Sequence, residues 1–445
     1  MVKALRFLEH SADYEKQIDV RYNDRNFNLE RTRLLLQALG NPQDQFRAIH
    51  VGGTKGKGTT CTLLERCLRE AGYTTGLYTS PHLHSICERI QVDAQQIPDD
   101  RFCNIVDAMR EFVTAKRANQ PHLAPTYFEL LTALAFKYFA ERNVDWAVVE
   151  VGLGGRLDAT NVLQPDCCVV TAVGFDHMDK LGDTIAAIAG EKAGIFKENT
   201  PVVIGQQEYA TARETLADRA NSLNITSWEV GREINVENPH PLVASTEFPD
   251  SAVGWDFDVT SPGRQYEQLH TPLPGRHQLD NCAAAVGVLE LLHQTSRLRI
   301  AREYIHEGIR HCVCPARVEV TGESPPVILD TAHTRESMNA LLAAINTHFP
   351  DHNLIIVFGC STDKDYEQMF ELMTDQGARL IITQADSPRA APPHILAKAA
   401  TSAGISSIET VVPPGAALNR ARNIACHDEV ICVTGSFYVA GDIPL

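Results

Sequence analysis

The order of apolar and polar positions divides the chain into two series of alternating strands and helices. Residues 28–39 (NLERTRLLLQAL) carry apolar side chains at helical spacing, and Gly40 with Asn41-Pro42 ends that helix. An apolar run, Phe46 to Val51, predicts a strand. The glycine-rich stretch Gly52–Thr60 leads from it into a helix over Cys61–Ala71, closed by Gly72. Further strands are expected at Gly76–Thr79, Trp146–Val151 and Cys167–Val173, with helices around Tyr127–Arg142 and Thr184–Phe196. Such alternation predicts a parallel sheet covered by helices. Residues 221–275 are broken by Asn-Pro, Ser-Pro and Pro-Gly steps and predict short antiparallel strands and loops, before a helix over Leu279–His293. The polar stretch Gln294–Arg299 reads as a linker. The second series has strands at Val327–Asp330, Leu354–Phe358, Leu380–Thr383, Thr410–Val412 and Val430–Val433, a Rossmann-like layout. The expected fold is therefore α/β, with a parallel-sheet domain over 1–298 and a smaller Rossmann-like domain over 299–445.

Composition narrows the function without naming it. A chain of 445 residues exceeds the ~100–200 of one domain, so two cores are expected. With 40 Lys plus Arg against 56 Asp plus Glu, the net charge is −16, which argues against a nucleic-acid surface built on phosphate neutralisation. No apolar run approaches the ~18 residues of a membrane helix, and the N-terminus turns charged too soon for a signal peptide. The 12 cysteines read as reduced thiols. The pairs Cys312/Cys314 and Cys167/Cys168 lack a second pair at zinc spacing. A cytoplasmic protein with no nucleic-acid or membrane partner is expected.

Strand, glycine loop, helix is the order that a phosphate-binding loop requires. In Gly52-Gly53-Thr54-Lys55-Gly56-Lys57-Gly58-Thr59 the small residues let backbone N–H groups approach phosphate oxygens. Lys57 can reach the outer phosphates and Thr59 can offer a hydroxyl to Mg²⁺. The strict G-x-x-x-x-G-K-[ST] pattern is broken by Val51 and by Gly58, which leaves a flexible loop without ligand as the alternative. Glu150 ends a strand and precedes Gly152-Leu-Gly-Gly-Arg-Leu-Asp158. It is placed either to hold a metal or to pair with Arg156. His177 follows another strand on the same rim, where it is a ligand or a polar loop residue. In the second series Asp330, His333, Gly359, Asp363-Lys364-Asp365 and Gly435-Ser436 all follow strand ends, so that rim faces a ligand or serves as turns.

Taken in order, these motifs resemble a known family. Gly53-Thr-Lys-Gly-Lys-Gly58, Tyr78-Thr-Ser-Pro-His-Leu83, Glu88-Arg-Ile90, Thr126-Tyr-Phe-Glu129 and Glu150-Val-Gly-Leu-Gly-Gly-Arg-Leu-Asp-Ala-Thr-Asn161 are similar to those of the folylpolyglutamate synthase/dihydrofolate synthase family, in the ATP-dependent Mur ligase superfamily. Asp176-His177, Glu191-Lys-Ala-Gly-Ile195, His277-Gln278 with Asn281, Asp363-Lys364-Asp365 and Gly435-Ser436 continue the series, and only residues 205–270 fall outside it. The resemblance implies a P-loop ATPase domain followed by a Rossmann-like ligase domain. It implies Mg²⁺, two ions in all, at Ser80, Glu150 and His177 with Thr59 nearby. It makes Lys192 a lysine that can carry a carbamate, and Lys57, His177 and Lys192 the catalytic set. ATP would lie on Thr54, Lys55, Gly56, Lys57, Gly58 and Thr59, with Asn281, Arg317, Asp330 and His333 reaching it. Folate contacts would come from Leu29, Glu30 and Arg31, from Tyr127, Phe128 and Glu129, and from Leu157, Asp158 and Ala159.

Lys55 and Thr334-Arg335 look more like folylpolyglutamate synthases of eukaryotic type, and Pro315-Ala316-Arg317 replaces the family's usual Pro-Gly-Arg. The implied reaction joins L-glutamate to the γ-carboxylate of a reduced folate at the expense of ATP. A dihydrofolate synthase acting on dihydropteroate, or a bifunctional enzyme, is the nearest alternative. A Mur-type cell-wall ligase and a non-catalytic nucleotide-binding regulator are more distant ones. Small molecules are the expected partners, and a monomer the expected state. If the metal assignment holds, the Ser80 hydroxyl, the Glu150 carboxylate and the His177 ring converge on one point.

Overall fold

The computed structural model describes residues 1–13, 23, 26–244, 252–321 and 324–443. It forms two compact units, one of residues 1–237, 258–267 and 280–309, the other of residues 238–257, 268–279 and 310–445.

The first unit is built on eight strands: β1 (Arg47–Gly52), β2 (Thr75–Tyr78), β3 (Ile90–Val92), β4 (Gln95–Gln96), β5 (Trp146–Glu150), β6 (Cys167–Val170), β7 (Val202–Ile204) and β8 (Ser227–Glu229). Their order is β4-β3-β2-β5-β1-β6-β7-β8. From β2 to β8 neighbours run parallel, and β3 and β4 add an antiparallel edge. The near-continuous apolar runs of β5 and β6 follow from this, because a central parallel strand is covered on both faces. On one side, helices Leu29–Ala38, Asp99–Asn119 and Tyr127–Glu141 pack over the sheet around Leu35, Phe102, Leu134 and Phe136. Elsewhere Ile185–Ala193 and Ala210–Ser222 bury Ile188 and Leu216 against β6 and β7. The register sets Val51 beside Glu150 and Gly52 beside Val170, so the chain leaves β1, β5 and β6 on one carboxyl edge.

Three strands, β9 (Asn235–Leu242), β10 (Gly254–Ser261) and β11 (Arg264–Thr271), form a separate sheet in the order β11-β10-β9. They fill the stretch read as short strands and loops, of which residues 245–251 lie outside the described part. Gln294–Arg299 is not a loose linker. Arg297 donates to the carbonyls of Asp166 and Asn199, at 3.1 and 2.8 Å, and Tyr73 donates to the Arg299 carbonyl at 2.9 Å. The helix Arg302–Arg310 follows it.

The second unit has strands β12 (Glu319–Val320), β13 (Val327–Leu329), β14 (Asn353–Phe358), β15 (Arg379–Ile382), β16 (Ile408–Thr410) and β17 (Glu429–Thr434). Their order is β12-β13-β17-β14-β15-β16, parallel except for β12. This is the expected Rossmann-like α/β sheet, with β13, β17 and β14 ending side by side at Leu329, Val433 and Val357 to Phe358. Among the described residues no helix is long and apolar enough to cross a membrane.

Candidate active site

The glycine loop sits at the carboxyl end of β1, in the middle of the larger sheet. Its first amides are spent within the protein, since Thr54 N–H and Lys55 N–H both donate to the Ala172 carbonyl, at 2.8 and 3.2 Å. The Thr54 hydroxyl and Gly174 clasp each other at 3.2 Å. These bonds tie the loop to the segment after β6. The helix then begins at Lys57, four residues earlier than the spacing predicts. Lys57, Gly58 and Thr59 therefore fall in the first turn, whose N–H groups have no partner within the helix. This leaves an anion-binding end at the loop, with the helix dipole behind it. Gly56 enters the helix at φ +86, and a Cβ there would strike the Asn281 side chain. Asn281 thus stands against the loop, although the chain separates them widely.

Lys57 and Lys192 face one cleft, lined also by Gly53, Thr54, the Val151–Gly154 turn, Asp176, His177 and Leu181. Lys192 is buried near the end of its helix and donates to the Gly53 carbonyl at 2.8 Å. Burial, and then the charge of Lys57, push its pKa down to about 7. A lysine in the unfolded chain keeps its proton to about 10.4, so between these values the unfolded state binds more protons and stability rises with pH. Lys192→Met removes that dependence. The stability gap between Lys192→Met and the parent, read by urea unfolding, should shift by up to about 1.4 kcal/mol per pH unit between pH 7 and 10. The parent gains as pH rises, and a gap constant with pH would contradict the assignment.

His177 follows a loop off β6 and takes the left-handed conformation at φ 50. Half of its side chain is exposed. Partial desolvation first, and the lysines at 57, 180 and 192 next, hold the ring below its usual pKa against the opposing pull of Asp176. Asp176 lies 3.8 Å from both His177 Nε2 and Lys55 Nζ. Glu150, at the end of β5 with β1 between it and β6, is buried. It accepts the Ser80 N–H at 3.0 Å and lies against Gly58 in the first turn of the helix. Arg156 pairs with Glu191 at 3.0 Å. Ser80 and Glu150 meet through the Ser80 N–H, and His177 shares the cleft lining with Lys57 and Lys192. Val151–Gly154 line that cleft, whereas Glu150 and Ser80 are outside its lining. Among the described residues no three His, Cys, Asp or Glu side chains gather into a metal cage on their own.

The segments read as folate contacts are partly occupied with one another. Arg31 and Glu129 form a buried two-pronged pair, with Nε at 3.0 Å from both carboxylate oxygens and a terminal nitrogen at 2.7 Å. Glu129 also accepts Thr126 N–H at 2.9 Å as the far half of a helix capping box. Asp158 is buried and accepts from Leu153 N–H at 2.9 Å and Thr160 N–H at 3.0 Å. Glu30 is exposed, Leu29, Phe128 and Leu157 are half-buried, and Tyr127 and Ala159 are buried.

In the second unit, Asp330 accepts Val318 N–H at 2.9 Å and Ala332 N–H at 2.6 Å. Burial pushes its pKa up against the pull of Arg317. Arg317 donates to Thr331 Oγ1 at 2.7 Å and lies over the Phe437 ring at 5.0 Å. The His333 ring bonds the Thr331 carbonyl at 2.7 Å. Arg317, Asp330 and His333 thus gather at one sheet edge. Thr331 and Phe437 join them, and no motif had singled out either.

With this geometry in place, the chain can be set beside known proteins. A model of the Mur ligase middle domain matches residues 51–289, and a model of the Mur ligase glutamate ligase domain matches residues 316–437. A Bacillus subtilis dihydrofolate synthase/folylpolyglutamate synthase is 34% identical over 418 residues, covering 93% of this chain and 94% of its own. The chain belongs to the folylpolyglutamate synthase/dihydrofolate synthase family of Mur ligases. A folylpolyglutamate synthase from Lacticaseibacillus casei is 34% identical over 366 residues, covering 81% of this chain and 82% of its own. The structure of a Mycobacterium tuberculosis folylpolyglutamate synthase complexed with ADP superposes with a TM-score of 0.86 at 29% identity, covering 99% of this chain and 97% of that one. Family membership accounts for the pairing of a P-loop sheet with a second Rossmann-like unit.

Proposed function

We propose that this ligase joins the amine of L-glutamate to the γ-carboxylate of a reduced folate, with ATP converting that carboxylate to an acyl phosphate. The observation that carries the reading is the cleft in which the glycine loop, Lys57, His177 and Lys192 stand together, beside the buried carboxylate of Glu150. A carboxylate is a poor acyl donor because oxide is its leaving group. Transfer of the γ-phosphoryl group supplies phosphate as the leaving group instead. In this reading ATP lies along Thr54–Thr59. The first-turn amides and Lys57 stabilise charge on the transferring phosphoryl group, and Asn281 fixes the loop from the side. Arg317, Asp330 and His333 form the nucleotide edge of the second unit. Glutamate nitrogen then attacks the acyl carbon, and phosphate leaves from the tetrahedral intermediate.

A hard cation suits the donors beside the loop: the carboxylate of Glu150, the hydroxyls of Ser80 and Thr59, and a His177 ring held in its neutral form. Mg²⁺ at these residues would supply charge neutralisation between two anions, the folate carboxylate and the γ-phosphate. We assign Lys192 as the carbamate carrier, since its lowered pKa leaves a neutral amine available to CO₂ near pH 7. Direct folate contact falls to Leu29, Glu30, Phe128 and Leu157, which keep exposed surface, with Tyr127 and Ala159 beneath them. Arg31, Glu129 and Asp158 hold that surface in shape. A monomer in the cytoplasm, with its cysteines reduced, completes the reading.

Dihydrofolate synthesis is retained as a second activity, because the Bacillus subtilis relative carries both names. The chemistry is the same and only the acceptor differs. Turnover of tetrahydrofolate and of dihydropteroate, measured in one assay with ATP, glutamate and Mg²⁺, separates the two. Product from tetrahydrofolate is expected. Turnover of dihydropteroate alone would reassign the enzyme, and ADP release that needs glutamate but no pterin would remove the reading altogether.

A further inference from the structure

His50 lies in the centre of β1, between Val149 of β5 and Cys168 of β6, and is wholly buried. A buried imidazole between Ile49 and Val51 has to justify its polar atoms, and among the described residues one of the two has a partner. His50 Nε2 lies 2.8 Å from Thr160 Oγ1, while Nδ1 has no hydrogen-bond partner among the described residues. A buried unsatisfied nitrogen destabilises the fold, and an aliphatic residue would fill the strand without it. The bonded nitrogen is therefore where the function of this side chain lies.

The direction of that bond follows from the next one. The Thr160 hydroxyl donates to Asp158 Oδ1 in a short contact, and Thr160 N–H donates to the same oxygen at 3.0 Å. Leu153 N–H donates to Oδ2 at 2.9 Å. Three hydrogen bonds are donated to this carboxylate, from Thr160 N–H, Thr160 Oγ1–H and Leu153 N–H, and they offset the upward push of burial on its pKa. The Thr160 hydrogen is thus committed to Asp158, and its oxygen must accept from His50 Nε2–H. Burial, and secondarily the charge of Lys197, push the His50 pKa down to about 3, which keeps the ring neutral at ordinary pH, and the bond to Thr160 selects the Nε2–H tautomer.

The chain of bonds ends on the cleft. Gly152 and Leu153 line it together with Lys57 and Lys192. From the far end of the same loop, Asn161 donates to the carbonyls of Arg156 and Gly194, at 2.9 and 3.1 Å. Gly155 packs so closely on the last turn of the Lys192 helix that a Cβ would lie 2.7 Å from the Glu191 carbonyl. The loop therefore braces the cleft wall and the Lys192 helix together, and its anchor is a side chain on β1, two residues before the glycine loop.

We propose that His50 and Thr160 are positioning residues: a relay from β1 that, through Asp158, holds the Gly152–Leu153 turn of the Lys57 and Lys192 cleft in the arrangement needed for phosphoryl transfer. Neither His50 nor Thr160 is among the residues that line the cleft. The glycine loop has its own anchors on Ala172 and Gly174, so ATP binding is independent of the relay. This inference rests on the ligase reading above, and its test is kept separate from that one.

Thr160→Val preserves the branched shape and removes the hydroxyl, whereas Thr160→Ser keeps the hydroxyl. With tetrahydrofolate, glutamate and Mg²⁺, Thr160→Val is expected to lower kcat by about 10–100-fold, the scale of a small misplacement of reacting groups. KM for ATP should stay within about twofold and Thr160→Ser should restore kcat, a split that general loosening of the fold would not produce. An unchanged kcat in Thr160→Val, an equal loss in Thr160→Ser, or a KM for ATP that rises as far as kcat falls would each overturn the proposal. If Thr160→Val fails to fold, His50→Phe, which fills the strand but cannot donate, carries the same expectation. A parent enzyme without folate-dependent turnover would instead refute the ligase reading, not the relay.

Discussion

Lys57→Ala should lower kcat for folate-dependent ADP release by about 10²–10³-fold, the usual loss when one preorganised group on a developing anion is removed. The size of the effect follows from position. Lys57 opens the helix behind the glycine loop, and its side chain lines the cleft with Lys192 and His177. The hydrogen bond of its side chain to the Thr54 carbonyl, at 3.4 Å, is long. The side chain therefore contributes little to the fold, and the melting temperature of Lys57→Ala should stay close to that of the parent. The loss should also appear mainly in kcat, because the transferring phosphoryl group demands the charge more than bound ATP does. A variant with parent-like kcat would place the phosphate site elsewhere.

Glu150→Gln should be almost as damaging, and in a different way. The amide keeps an oxygen for the Ser80 N–H, so the strand end should hold its shape. The negative charge offered to a cation beside Gly58 and Thr59 is lost. Turnover at fixed Mg²⁺ should fall about 10–100-fold, with the Mg²⁺ concentration for half-maximal rate rising by a similar factor, the scale of loss seen when the support of a metal site is removed. Excess Mg²⁺ should recover part of the rate. A Mg²⁺ dependence identical to that of the parent would show that Glu150 acts only as a cap on Ser80.

Both variants concern residues that local pattern could reveal. The strand–loop–helix order and the polar residues at strand ends are properties of short segments, and the strands appear within a few residues of their expected places. Where the pattern misled, longer-range physics decided. Lys57-Gly-Thr-Thr has weak helix preference in its glycine, yet the helix starts there, because packing of Thr60, Leu63 and Leu64 overrides propensity. Val411-Val412 reads as strand by composition, but β16 ends at Thr410 and Pro413 caps the next helix. The site depended still more on folding. Arg31 with Glu129, Arg156 with Glu191, and Asn281 against Gly56 are partners that no spacing rule connects. His50 carried one faint signal, an imidazole inside a buried strand, but its meaning required Thr160 and Asp158 to be seen beside it.

The acidic chain also raises a question of charge, since its net charge of −16 opposes ATP, glutamate and folate alike. Positive charge must therefore be local, and the cleft concentrates it in Lys57, Lys192 and the helix end of the loop.

The central claim is that the folate carboxylate is activated by direct phosphoryl transfer within this cleft. It is tested most directly with folate labelled with ¹⁸O in the γ-carboxylate, incubated with ATP, glutamate and Mg²⁺. One labelled oxygen should appear in inorganic phosphate for each amide formed, with ADP as the nucleotide product. Phosphate free of label, or AMP with pyrophosphate in place of ADP, would contradict the account.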